Sequence, residues 1–146
     1  QRATLVRLKE LVLKVRSVRD QIAAHQSRLP AKSELNAAAT DIDAKLETIE
    51  SALHNPGSEV AYDILAGREG GGKLASRLYL LFGLASDHPG PPTQGMLEVA
   101  GRIQEELVAQ EGLFSALVTN DLKKLNDLAS REGVSFVYVP DVTAGP

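Results

Sequence analysis

The spacing of aliphatic side chains restricts this chain more than any other feature. Leu8, Leu11, Val15, Val18 and Ile22 alternate steps of three and four residues, and Leu35, Ala39, Ile42, Leu46, Ile49 and Leu53 repeat the pattern. An α-helix returns to the same face every ~3.6 residues, so each series is a continuous apolar stripe that another helix must cover. Leu5 and Val12 widen the first stripe. A shorter series holds Leu74, Leu78, Leu81 and Ala85. A fourth runs through Met96, Val99, Ile103, Leu107, Phe114, Leu117, Leu122, Leu125 and Leu128.

The breaks between the stripes are equally legible. Pro30 disfavours helix at Leu29 and is tolerated in the first turn of a following helix. HNPGS at 54–58 ends the second helix and DHPGPP at 87–92 ends the third. Thr93 is placed to cap the fourth, Thr119-Asn120-Asp121 marks a bend in it, and Gly133 suits the residue just past its end. Short connections make sequential helices antiparallel. The fold predicted is all-α: an up-down-up-down four-helix bundle over residues 1–133, with 134–146 as a short extended tail.

Composition agrees and excludes several function classes. Hydrophobic residues make up 43% of 146 residues, yet aromatics are only 4% and Trp is absent, a core built from aliphatic side chains. Without Cys there are no disulfides and no thiolate metal sites. No apolar run reaches the roughly 18 residues a membrane span needs, and no signal peptide is present. A start at Gln1 rather than Met reads as an excised or processed piece with something upstream. Residues 1–32 carry eight basic side chains against two acids, whereas the rest holds eight against seventeen. A basic helix suggests nucleic acid. No aromatic or Gly-rich element interleaves with it, however, so the expectation is that it complements acidic sister helices.

The stretch GREGGGKL at 67–74 tests for nucleotide chemistry. Gly67, four residues and then Gly72-Lys73 match a phosphate-binding loop up to its last position. That position needs a hydroxyl for Mg²⁺ and here is Leu74. The parallel sheet behind such a loop is missing too, because only VAYDIL and VSFVYV have strand character. FVYVPD, ending at Asp141, mimics a second nucleotide motif but is interrupted by Pro140. No nucleotide is expected. A di-iron bundle needs Glu-x-x-His, and Ile22, Ser51 and Ala85 stand three residues before His25, His54 and His88. His54 and His88 fall at helix ends beside Pro, and His25 reads as a partly buried, hydrogen-bonded residue. Asp41, Asp43, Glu47, Glu105 and Glu106 read as the solvated face of amphipathic helices rather than a glycosidase pair. The domain is expected to be non-catalytic, with no cofactor and no metal.

The ending VSFVYVPDVTAGP remains. Val134, Phe136 and Tyr138 alternate with Ser135, Val137 and Val139, so both faces of a strand here would be largely apolar. Such a segment either lies along a groove of its own bundle or pairs with a strand from elsewhere. The second option makes Val134, Phe136, Val137, Tyr138 and Val139 the candidate protein-interaction residues.

A resemblance supplies a context. KLASRLYLLFGLASDHPGPPT through DLKKLNDLASREGVSFVYV resembles the C-terminal helical region of glycosyl-hydrolase-like proteins with BNR repeats and a sortilin-like β-propeller. The matching features are Leu74 and Leu78, Asp87, Pro92-Thr93, Asp121-Leu122, Asn126, Leu128 and Gly133, with the two preceding helices in the same region. GREGGG stands where a compact Pro-containing turn is expected. The resemblance implies a secreted or periplasmic protein whose sugar-binding or catalytic groups belong to the propeller, so no functional residue carries over. The reading is a non-catalytic bundle that packs against its own upstream propeller or mediates assembly. Its alternatives are a free-standing subunit joined to sister subunits by the C-terminal strand and, last, an enzyme. Asp-box repeats upstream of Gln1 would establish the first.

Overall fold

The computed structural model describes residues 2–55, 72–134 and 137–141. It is an all-α bundle with an extended tail, as the stripes require. Helix α1 is Arg2–Gln26, α2 is Glu34–Leu53, α3 is Leu74–Asp87 and α4 is Gln94–Ala116. The chain passes from α4 through a π-helical turn, Leu117–Leu122, into α5, Lys123–Arg131. These last three elements form one rod about 57 Å long at 1.5 Å per residue.

Cross-helix contacts set the direction of each helix. Gln26 bonds to Asn36 and Arg16 to Glu50, so α1 and α2 run antiparallel. Arg7 pairs with Glu111, and further along α1 Ile22 and His25 line one cavity with Leu125 and Ala129, so α1 runs parallel to the rod. Ile49 lies by Leu113 and Leu117, and Glu34 by Leu128 and Arg131, so α2 runs against it. The six-residue link after Asp87 and the Arg77–Glu106 pair fold α3 back along α4. Helices α2 and α3 therefore follow one another along the rod in the same sense, and the directions are up, down, down, up. Alternation holds across the short links at 27–33 and 88–93. The link at 54–73 is too long to impose it.

Stripe positions fill the core. Leu11, Val15, Ile42, Leu46, Leu78, Leu81, Ile103 and Phe114 are all buried in one cluster, and no polar or charged residue is buried among the described residues. Val99 departs from its expected place and is 44% exposed, because the half-buried Ala100 takes the inward position. The caps are mostly as read. Thr93 Oγ1 accepts from the Met96 amide at 3.3 Å. Helix α2 starts later than Pro30, at Glu34, because Ser33 Oγ accepts from the Asn36 amide at 3.1 Å. Gly133 adopts φ +70°. The Val134 amide donates to Ala129 O and the Gly133 amide to Ser130 O, which together close the helix end with both orphan carbonyls satisfied.

The bend near Thr119 is the π-turn. Buried positions step from Leu117 to Leu122, five residues where a regular helix allows three or four, and the wider turn absorbs the extra residue. Deleting Thr119 should therefore convert the turn to ordinary α-helix and keep Leu122, Leu125 and Ala129 in the core. We expect a stability change within about 1 kcal/mol. A melt showing loss of cooperative unfolding would contradict this origin of the π-turn.

Part of the basic excess of α1 is met inside the bundle. Arg19 donates to Asp43 and to Glu50 at 2.8 Å each, and Arg16 donates to Glu50 at 2.8 Å. Burial works to raise the Glu50 carboxyl, but the hydrogen bonds from Arg16 and Arg19 outweigh it and hold the group below its ordinary value of 4.5. Hydrogen bonds from Arg77 likewise lower Glu106. A carboxyl lowered by folding stabilises the native state above its unfolded value and loses that contribution as pH falls through its folded one. The melting temperature should hold from neutral pH to about pH 5 and decline below about 4.5. Glu50→Gln should cost about 1 kcal/mol at pH 7 and flatten the decline. An equally steep decline in the variant would remove Glu50 as its source.

Candidate functional site

Among the described residues, the most organised arrangement of polar groups around a chain segment is the groove that holds the tail. After Gly133 reverses the chain, residues 137–139 run back between α1 and the rod. Asn126 Nδ2 donates to Val137 O at 2.7 Å, and Asn126 Oδ1 accepts from the Val137 amide at 2.9 Å. Gln21 repeats the arrangement one residue on: its Nε2 donates to Tyr138 O at 2.8 Å and its Oε1 accepts from the Tyr138 amide at 3.0 Å. Successive residues of an extended chain point their amide groups to opposite edges. One carboxamide from the rod thus pairs one edge, and one from α1 pairs the other.

Side chains complete the seating. Val137 is 5% exposed and closes a small cavity lined by Ile22, His25, Leu35, Leu125 and Ala129. Val139 is half-buried near Lys14, Phe114 and Val118, and Val134 is half-buried against the core. Tyr138 points outward at 66% exposure. Phe136 lies outside the described residues. Of the two positions left open for the tail, residues 137–139 take the groove of their own bundle. While they are seated, the backbone of Val137-Tyr138 has both edges paired and cannot join a sheet there. The residues that read this backbone sit at the margins of two apolar stripes: Asn126 directly follows Leu125 and Gln21 directly precedes Ile22. A carboxamide at a stripe margin is the signal that would have found them.

A second surface is the α3–α4 hairpin. Leu74, Leu78 and Leu81 face inward, but large apolar side chains also reach the outside of α3, interspersed with Arg77 and Ser86. Tyr79 is 58% exposed and Leu84 53%, and across the hairpin Leu97 is 54% exposed.

Leu74, which stands at the magnesium position of the phosphate-loop match, is 1% exposed at the start of α3, so its side chain is core. Lys73 precedes it, and Gly67 to Gly71 lie outside the described residues. Calorimetry with ATP or GTP and Mg²⁺ should show no binding. Micromolar binding abolished by Lys73→Ala would overturn this. Asp43 pairs with Arg19, Asp41 with Lys45, and Glu106 with Arg77. His25 borders the tail cavity. Among the described residues no cluster of three or more His, Asp or Glu is placed to hold a metal, and no helix is long and apolar enough to cross a membrane. Comparison with protein-family models, curated proteins and solved structures finds no match to this chain.

Proposed function

We propose that this chain is a non-catalytic helical module that packs against another protein unit, and that it does so through the α3–α4 hairpin. The observation that carries the reading is the solvent side of the hairpin, where Tyr79, Leu84 and Leu97 are each more than half exposed. Exposed apolar residues grouped on one element mark interaction sites. The resemblance to BNR-repeat proteins supplies the partner class, a β-propeller in the same polypeptide, and a secreted or periplasmic location. That part of the proposal rests on the sequence features alone.

The test is Leu84→Asp with Leu97→Asp. Both positions are exposed, so helicity and melting should be retained, while association with the adjoining unit, followed by sedimentation velocity, should be lost. Association unchanged in the variant would sink the hairpin as the docking face. A second reading, a subunit joined to a sister copy by its C-terminal strand, is favoured by the extended tail and its paired backbone.

A further inference from the structure

We propose that the groove between α1 and the rod is a receptor for an extended peptide strand, and that it accepts residues 137–139 of a second copy in exchange for its own. This deepens the second reading above and is independent of the hairpin face.

The groove reads main chain. Gln21 also donates to Ser17 Oγ within α1 at 3.4 Å, but all four hydrogen bonds that Asn126 and Gln21 make to the tail go to backbone amides and carbonyls, so they specify an extended conformation and no particular side chain. Selectivity comes from one place, the apolar surface on which Val137 is buried, beside a small cavity that it lines together with Ile22, Leu35, Leu125 and Ala129. Recognition of this kind, by main-chain pairing plus a pocket for one side chain, is how proteins take up added strands.

The occupant is identified by the one already there. A second copy carries the same segment, so every contact made within one chain can be made between two. The two arrangements differ in the conformation of the connection and in the concentration of the incoming strand. The connection holds a conformational hinge. Gly133 at φ +70° turns the chain back toward its own groove, and a residue with a Cβ resists that turn. A negative φ at Gly133 gives the strand a different direction as it leaves the helix end and removes the turn that returns it to its own groove. The same segment is then available to a neighbour, and the vacated groove can take the neighbour's strand.

Two full-length variants test exchange directly. Val137→Asp places a charge in the apolar cavity, which empties the groove and leaves Asn126 and Gln21 intact. The double variant Gln21→Ala with Asn126→Ala breaks the groove and leaves the tail intact. Each alone should sediment as a monomer, and their mixture should form a one-to-one dimer through one tail and one groove. A synthetic peptide of residues 134–146 should bind the Val137→Asp chain and compete that dimer apart. A mixture that stays monomeric overturns the proposal. Gly133→Val provides a test that alters neither groove nor strand. It should shift the monomer–dimer balance toward the exchanged dimer by about tenfold, the effect of a residue strained in the left-handed region. A Gly133→Val chain as monomeric as the parent counts equally against exchange. Repeating the mixing experiment on the Leu84→Asp, Leu97→Asp background separates the two surfaces. Exchange should persist there, and its disappearance would assign the dimer to the hairpin and overturn this inference.

Discussion

Truncation of Phe114 to Ala lowers stability by about 3–5 kcal/mol, the range for removing a buried aromatic ring and leaving the space partly unfilled. Phe114 is 7% exposed, three residues before the π-turn, where α1 passes the rod beside Leu11 and Val139. The rod backbone on either side is continuous helix, and α1 is tied alongside it by Arg7 and Glu111. The cavity therefore cannot close by a simple inward shift of either element. For a domain of this size the loss corresponds to roughly 10–20 °C in melting temperature. The adjoining residue provides the control. Leu113 is 56% exposed, so Leu113→Ala should fall within about 0.5 kcal/mol of the parent. Equal effects at the two positions would mean that the rod is rotated about its axis, with Phe114 no longer facing α1.

How much of this was legible beforehand follows from which interactions are local. The stripes at Leu8–Ile22 and Leu35–Leu53 predicted the buried faces of α1 and α2, because burial on a helix depends on periodicity alone. Thr93 and Gly133 were legible because caps involve only near neighbours. The directions of the helices were legible only across the short links, and the parallel course of α1 and the rod depends on packing between residues about a hundred positions apart. The five-residue step from Leu117 to Leu122 was visible in the sequence. Its resolution as a π-turn rather than a break comes from the continuous burial on both sides. The tail groove was the least legible part. Alternation in VSFVYV marks an extended segment and is silent about what pairs it, whereas Asn126 and Gln21 acquire their role only once α1 and α5 flank one channel.

Deletion of residues 134–146 should lower the melting temperature by roughly 5–15 °C while leaving the helix content nearly intact. Burial of Val137 contributes about 1.5–3 kcal/mol, and four hydrogen bonds add about 0.5–1.5 kcal/mol each. Ordering three backbone residues costs about 1–2 kcal/mol apiece. Removal also opens the cavity beneath Val137, exposing parts of Ile22, Leu35 and Leu125 to water. The net is a loss of about 2–4 kcal/mol, which sets the expected shift in melting. The carboxamides give this prediction a sharper form. In the intact chain Asn126→Ala should cost about 1–2 kcal/mol, because the amide and carbonyl of Val137 lose both partners in a part-buried groove. In the shortened chain Asn126 faces water, so the same substitution should be close to neutral. The interaction energy between the two changes is then nearly the whole cost of Asn126→Ala, as it must be if that side chain acts only through the tail. Additive effects would show that Asn126 stabilises the rod by itself. A shortened chain that melts with the parent would show that the tail contributes nothing to the bundle it lies on.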